Sequence, residues 1–317
     1  MNPAFSVVFL TTLSGAGQGL LIALVGVEAA TRLGFADAAA VPPMFYVIGA
    51  ALSCLLGALG LLASFFHLGH PERAWRAVAM WRTSWLSREC LALPAFLACT
   101  FAYGIAHAFA LAYTLEIGIV AVVASAVLFV CTGMIYACLR FLQEWATPLT
   151  LVNFVLLGCA SGLTFATACA AVFATILVPA LAVATCVVTV TAFVSRSASL
   201  VRNARLTPRS TVQSATGIRG ARVEQNSRGF TAGAFNLREF FHGKTPETLR
   251  RIKWTFIVAV FIVPFCLVAF GGSIRSIGLS TLLLCTASAI QYAGLVAERW
   301  FFFAEARHPQ NLYYRRA

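Results

Sequence analysis

Long apolar runs separated by short polar stretches dominate this chain of 317 residues. A helix that crosses a bilayer needs about 20 largely apolar residues, and the apolar runs reach that length. We predict eight spans, at approximately residues 5–31, 44–66, 89–112, 117–140, 148–170, 172–195, 252–271 and 277–303. The pattern therefore predicts an all-α integral membrane protein, a single bundle of eight transmembrane helices.

The fifth and sixth spans come from one nearly continuous apolar run, residues 148–195. This run is too long for one crossing and fits a helical hairpin. Pro264 is a candidate kink in the seventh span, because proline removes a helical hydrogen bond. Two polar segments are longer than the other connections: an Arg- and Trp-rich loop at 67–88 and a basic loop at 196–251.

Positive charge is concentrated on one side of the predicted bundle. Eight spans place both termini on the same side, together with loops 67–88, 141–147 and 196–251. That side, with the helix ends that border it, holds 21 of the 23 Lys and Arg residues, and the other side keeps Arg32 and Arg275. Because Lys and Arg accumulate in cytoplasmic loops, we expect the termini and these loops to be cytoplasmic.

Composition supports a membrane protein and argues against other classes. The chain is 60% hydrophobic and only 11% charged, whereas soluble domains are roughly a quarter charged. The net charge of +12 can indicate a nucleic-acid partner, but the basic residues lie in gaps between spans. We therefore expect a lipid bilayer as partner and no nucleic acid. The ten cysteines include no CxxC pair, so no metal site is expected.

The densest polar cluster, residues 65–90, contains two candidates for proton chemistry. His67 ends the second predicted span and Glu89 opens the third. A histidine that titrates near neutrality and a partly buried carboxylate can exchange protons with a lipid-soluble redox ring. Ionisable residues at membrane depth are functional candidates by default. In the structural alternative, Glu89 pairs with an arginine and His67 only ends a helix.

Four further residues are candidates for orienting a ring or the two proton carriers: Gln18, Ser87, Arg73 and Arg299. Gln18 lies in the first span, where its amide can bind a quinone carbonyl or, alternatively, another helix. Gly15 and Gly19 beside it have the small-xxx-small spacing that lets membrane helices approach closely. Arg73 follows a turn in the loop 67–88 and can instead be an ordinary solvated residue.

Resident redox cofactors are not expected in this chain. A membrane haem usually takes two histidines from facing helices, and only His107 lies well within a predicted span. The cysteines form no cluster that could hold iron–sulfur or molybdenum. Glu28 and Glu298 lie near opposite ends of their spans, and we interpret both as structural.

The stretch HLGHPERAWRA at 67–77, followed by SWLSRE at 84–89, resembles the membrane anchor subunits of dimethyl sulfoxide reductase-type molybdoenzymes. In that family the histidine of H-L-G-x-P and the glutamate opening the next span are associated with quinol binding, and they match His67 and Glu89. The resemblance implies ubiquinone or menaquinone as exchangeable substrate. It also implies two partners: an iron–sulfur electron-transfer subunit and a molybdopterin catalytic subunit with the molybdenum cofactor.

Three other segments are similar to the anchor subunits of cytoplasmic membrane-bound sulfite dehydrogenases of sulfur-oxidising bacteria. They are NPAFSVVFLTTLSGAGQG at the start, the basic insert with STVQSATGIRG and RGFTAGAFNLREFFHG, and the tail AERWFFFAEARHPQNLYY. This implies a chain of the bacterial inner membrane that passes electrons from sulfite oxidation to quinone, with its partners on the cytoplasmic face. Two alternatives stay open. One is a reductase anchor running the opposite way, and the other is a secondary transporter, although paired helix breaks typical of transporters are not seen.

Overall fold

The computed structural model of the chain describes residues 1–35, 41–66, 68–220 and 240–312. Within these ranges every regular element is a helix, and eight helical segments are long and apolar enough to cross a membrane. The first six are α1 (Phe5–Arg32), α2 (Pro43–Phe65), α3 (Trp85–Ala108), α4 (Thr114–Ala137), α5 (Pro148–Phe173) and α6 (Val178–Ala204). The seventh comprises α8 (Pro246–Ile257), a π-helical turn (Val258–Ile262) and α9 (Val263–Ser273), and the eighth is α10 (Ile277–Glu305).

Shorter helical pieces lie in the connections: 3-10 turns at Pro71–Val78, Thr175–Leu177 and Pro309–Leu312, and the short helix α7 (Val212–Thr216). The predicted all-α bundle of eight membrane helices is confirmed, and the chain is a multi-pass membrane protein. The hairpin predicted for residues 148–195 is also confirmed, because α5 and α6 are joined by the turn at Thr175–Leu177.

Helix α3 begins at Trp85, whereas the apolar pattern predicted a start at residue 89. Ser84 caps the helix, since its hydroxyl accepts a hydrogen bond from the backbone N–H of Ser87 at 3.4 Å. Serine at this position satisfies a backbone donor that the first helical turn leaves free. Glu89 therefore lies one turn inside α3 and does not open it.

Helix α6 continues to Ala204, beyond the predicted end of the span at residue 195. The additional turns carry polar residues that have partners inside the bundle. Asn153 on α5 donates to Ser199 at 2.7 Å and accepts from Ser195 at 2.8 Å. With α8 starting at Pro246 rather than 252, the predicted loop 196–251 has helical residues at both of its ends.

Helix α1 lies at the centre of the bundle and crosses α5 at very short range. A Cβ atom built on Gly19 would lie 2.0 Å from the carbonyl oxygen of Gly158, and one on Gly162 would lie 2.0 Å from the backbone of Gly19. Only glycine permits this approach of two backbones, which confirms the small-xxx-small prediction for α1. The close crossing fixes the position of Gln18, next to Gly19.

The seventh membrane segment is broken where the sequence predicted a kink. The π-helical turn Val258–Ile262 ends two residues before Pro264. Because proline has no N–H, the carbonyl of Val260 loses its helical donor. The side-chain amide of Gln291 on α10 donates to that carbonyl at 3.1 Å. A polar side chain from the neighbouring helix thus stabilises the break inside the membrane.

The two ends of the described chain meet at one end of the bundle. The amino group of Met1 donates to the carbonyl of Ala306, just beyond α10, at 2.7 Å. We call this the basic end, because the loops counted above as positively charged extend from it. Arg196 and Arg299 belonged to that count, but both are buried inside the bundle, at 2% and 4% exposure. Without these two arginines, the count of Lys and Arg on this side still far exceeds that on the other side.

Candidate functional site

Glu89, one of the two residues predicted to exchange protons, is a buried carboxyl group. It lies in the first turns of α3 at the basic end and is 7% exposed. The hydroxyl of Thr132 on α4 donates a short hydrogen bond to its Oε1. Among the described residues, no Lys or Arg lies within ion-pair distance of Glu89. The structural alternative, in which an arginine neutralises this carboxyl, is therefore not what these residues show.

His67 lies outside the described residues, between Phe66 at the end of α2 and Leu68. Its role stays a prediction from the sequence. Thr132 was not a candidate in the sequence, because a threonine in an apolar run of α4 gives no signal of its partner on α3. Only the packing of α3 against α4 shows the pair.

Thr132 also lines a narrow cavity between α1, α4, α5 and α10. Its polar lining includes Gln18, Ser161 and Arg299. The space available to the centre of a water molecule is about 10 Å³, which is room for about one water. The Oε1 of Gln18 and the Nε of Arg299 are buried without a hydrogen-bond partner among the described residues. Gln18 and Arg299, which have these unpartnered atoms, therefore line the same cavity as Thr132, the hydrogen-bond partner of Glu89.

Arg299 connects this cavity to a buried ion pair. Its guanidinium lies 3.8 Å from the centre of the Phe154 ring and 3.8 Å from Glu298. Glu298 in turn pairs with Arg196 on α6 at 2.7 Å. These three side chains are at most 5% exposed and carry a net positive charge. The sequence interpretation of Glu298 as structural did not include its pairing with Arg196, because Arg196 comes from another helix.

The other two candidates from the sequence occupy different environments. Ser87 is buried in the first turn of α3, two residues before Glu89. Arg73 is exposed on the 3-10 turn Pro71–Val78 and lies 3.7 Å from Glu72, itself exposed. The structure thus places Gln18 and Arg299 on one cavity, Ser87 near Glu89, and Arg73 on the surface.

A second buried carboxyl group lies at the opposite end of the bundle. Glu28 on α1 accepts hydrogen bonds from Tyr103 at 2.9 Å and Thr114 at 2.5 Å, and lies 3.1 Å from the Nε2 of His107. Arg32 lies 3.3 Å from the same carboxylate. Glu28 thus ties α1, α3 and α4 together, in keeping with the structural role expected from the sequence.

The segment between α2 and α3 exposes large apolar side chains beside arginines. Phe66 is 81% exposed, Trp75 71% and Trp81 51%. The guanidinium of Arg82 lies 5.5 Å from the ring of Trp81, and that of Arg88 lies 4.3 Å from the ring of Trp85. Aromatic and arginine side chains are enriched at protein interfaces and at the membrane boundary.

The arrangement at Glu89 can hold and transfer protons. A carboxyl group with one hydroxyl donor keeps acceptor capacity for a substrate or a water molecule. Within the described ranges, no group of three or more His, Cys, Asp or Glu residues could hold a metal ion.

Two comparisons with known proteins agree with each other. Residues 1–304 match the sequence profile of a family described as DMSO reductase anchor subunit (DmsC). The chain is also 49% identical, over 328 aligned positions, to a protein of Allochromatium vinosum that is named as a sulfite dehydrogenase subunit. That alignment covers 99% of each chain. The similarity thus extends over the whole membrane bundle, which favours a redox anchor over a transporter.

Proposed function

The chain belongs to the family of DMSO reductase anchor subunits, and from that membership we propose that it reduces membrane quinone with electrons from sulfite oxidation. The relative named as a sulfite dehydrogenase subunit, at 49% identity, supports sulfite as the electron source. The observation that carries the proposal is Glu89, a buried carboxyl group inside the membrane bundle with a single hydroxyl partner, Thr132.

Quinone reduction consumes two electrons and two protons, and this chain supplies the protons. Glu89 serves one ring carbonyl and His67 the other, each as a general acid. The cavity beside Thr132 is too small for a quinone ring, so the ring contacts Glu89 from outside this cavity. Ser87 supports Glu89 in the same helical turns, and Arg73 orients the surface segment next to His67.

Gln18 and Arg299 act from inside the bundle. Both line the cavity that Thr132 shares, so they influence the ring through Thr132 and Glu89 rather than by touching it. Of the two roles that the sequence left open for Gln18, a hydrogen bond to a quinone carbonyl or to another helix, this proposal therefore does not use the first.

The complex has three kinds of subunit. A molybdopterin subunit oxidises sulfite to sulfate, and an iron–sulfur subunit passes single electrons to the quinone held by this chain. Both lie on the cytoplasmic face of the bacterial inner membrane, against the basic end of the bundle. Sulfite is a strong reductant, so electron flow towards ubiquinone or menaquinone is downhill.

The test is purification of the chain from its native membrane with the subunits that remain bound. We expect molybdenum and iron in the preparation and sulfite-dependent reduction of a short-chain quinone analogue. A preparation that oxidises quinol and reduces a sulfoxide or polysulfide, but leaves quinone unreduced with sulfite, would reverse the direction. A chain that purifies without metal-containing partners would contradict the anchor function itself.

A further inference from the structure

A surface cleft at the basic end leads towards the buried charges of the bundle. Its volume is about 390 Å³, and its lining includes Glu144, Asn203, Lys253 and Glu305. Burial, followed by the charge of the N-terminal amine, lowers the pKa of His308 at its rim. Glu305 on α10 also lines a second, adjoining cleft. Glu305 therefore lies where both surface clefts meet the end of α10.

Glu305 is the outermost of a row of interacting side chains. It interacts electrostatically with Arg196 and Glu298, and it lies two helical turns from Glu298 on the same face of α10. Arg196 and Glu298 are in direct contact at 2.7 Å. The row therefore passes from the surface cleft to side chains that are almost completely buried.

The row continues to Glu89 through the internal cavity. Arg299 lies 3.8 Å from Glu298 and lines the cavity together with Gln18 and Thr132. Glu298 Oε2, Arg299 Nε and Gln18 Oε1 are buried without hydrogen-bond partners among the described residues. One water in a cavity of this size can bond to two to four polar atoms. Thr132 then hydrogen-bonds directly to Glu89.

We propose that this row, from Glu305 through Glu298 and the internal cavity to Thr132, delivers protons to Glu89. The inference rests on the proposed quinone reduction. A quinone takes two electrons from the iron–sulfur subunit and two protons, and becomes quinol. One proton leaves Glu89 for a ring oxygen, and the row replaces it with a proton from water in the cleft. Proton uptake is thus on the side of the partner subunits.

The opposite end of the bundle offers a poorer route. Glu28 is held by Tyr103, Thr114, His107 and Arg32. On the face of α3 between Tyr103 and Glu89, Thr100 is polar, but the apolar side chains of Leu93 and Phe96, which are 3% and 0% exposed, separate it from Glu89. Apolar side chains in contact leave no room for a chain of hydrogen-bonded groups. Glu28 is therefore the matched control, a buried carboxyl group off the row.

The first test compares Glu305→Gln with Glu28→Gln in the assembled complex. Sulfite-to-quinone turnover should fall about fivefold or more in Glu305→Gln, because a proton carrier is lost, and stay near normal in Glu28→Gln. Sulfite oxidation with a soluble dye reports assembly in both. A small weak acid such as acetate, diffusing into the cleft, should restore turnover of Glu305→Gln. A merely structural defect would not respond to the acid.

Gln18→Met is a second variant, because it fills the cavity without removing a hydrogen bond recorded in the structure. It should lower quinone turnover, and acetate should not restore it, because acetate in the surface cleft does not reach the internal cavity. Normal quinone turnover in both Glu305→Gln and Gln18→Met would overturn the proposal. If the wild-type complex itself shows no sulfite-to-quinone turnover, the proposed function fails and this inference fails with it.

The side of uptake is measured in vesicles with the partner subunits outside, quinone in the bilayer, valinomycin with potassium, and a pH indicator trapped inside. Sulfite is added outside. We expect quinone reduction without alkalinisation of the vesicle interior. Interior alkalinisation that disappears in Glu28→Gln would overturn the proposal and assign proton uptake to the opposite end.

Discussion

Two buried carboxyl groups of this bundle differ in the number of their partners. Glu28 is surrounded by donors from three helices, among them a guanidinium. Glu89 has the hydroxyl of Thr132 as its one hydrogen-bond donor among the described residues. A carboxylate with many fixed donors resists a change in charge, whereas one with a single neutral donor can gain and lose a proton more easily. This contrast favours a structural role for Glu28 and proton exchange at Glu89.

Thr132 should therefore be required for quinone turnover through its hydroxyl. Thr132→Val keeps the shape of the side chain and removes the donor, and Thr132→Ser keeps the donor. We expect sulfite-to-quinone turnover to fall about tenfold in the valine variant, equivalent to roughly 1.4 kcal/mol in the barrier, and to stay near normal in the serine variant. Equal rates in the two variants, measured beside dye-linked sulfite oxidation, would show that the hydroxyl has no role.

At the scale of elements, the crossing of α1 and α5 positions Gln18 and the cavity. Gly19→Ala would bring a Cβ within 2.0 Å of the Gly158 carbonyl oxygen, whereas a Cβ on Gly26 of the same helix meets no atom within 4 Å. Overpacking of this kind costs about 1–3 kcal/mol or more. Thermal unfolding in detergent should show a clearly lower Tm for Gly19→Ala and little change for Gly26→Ala. Matching curves would mean that the helices can separate freely.

The helices themselves were predictable, because lipid requires about 20 apolar residues for each crossing. The helix ends were less so. The start of α3 depends on the cap at Ser84. The last turns of α6 contain polar residues such as Arg196, so their sequence looks like a loop, but these residues have partners inside the bundle. Polar residues that face the inside of a bundle cannot be told from exposed ones by hydropathy.

Part of the candidate site was also predictable from the sequence. Glu89, Gln18 and Arg299 are unusual residues for membrane helices, so composition alone identifies them. Thr132 and the pairing of Glu298 with Arg196 depend on which helices pack together, and the sequence pattern holds no such information. The π-helical turn before Pro264 was foreseen as a kink, but its partner Gln291 was not.

At the scale of the whole molecule, the charge asymmetry predicts that the basic end faces the cytoplasm. Alkaline phosphatase, which is active only in the periplasm, should be inactive when fused after Ala317. The same enzyme inserted after Leu111, between α3 and α4 at the opposite end, should be active. The reverse pattern of activity would overturn the orientation, and with it the cytoplasmic placement of the partner subunits.

We expect the basic segment between α6 and α8 to clamp those partners through its aromatic patch, Phe235, Phe240 and Phe241, because aromatic and arginine side chains are enriched at protein interfaces. A lipid-associated loop is the alternative. Phe235 of its aromatic patch lies outside the described residues, and Phe240 stacks on His308 at 3.8 Å. Deletion of residues 221–239 therefore removes basic residues and leaves that stacking in place. We expect the deletion to release the partner subunits during a salt wash of the membranes. Retention at the wild-type salt concentration would favour the lipid-bound alternative.

His67 and Glu89 are the residues that we propose supply protons for quinone reduction. His67→Ala and Glu89→Gln are compared with wild type on the same membranes, once with a soluble dye and once with a quinone analogue as the acceptor of electrons from sulfite. We predict near-normal dye activity and a fall of about tenfold or more in quinone activity. Normal quinone turnover in both variants would contradict the account, and loss of dye activity as well would show that these residues hold the complex together.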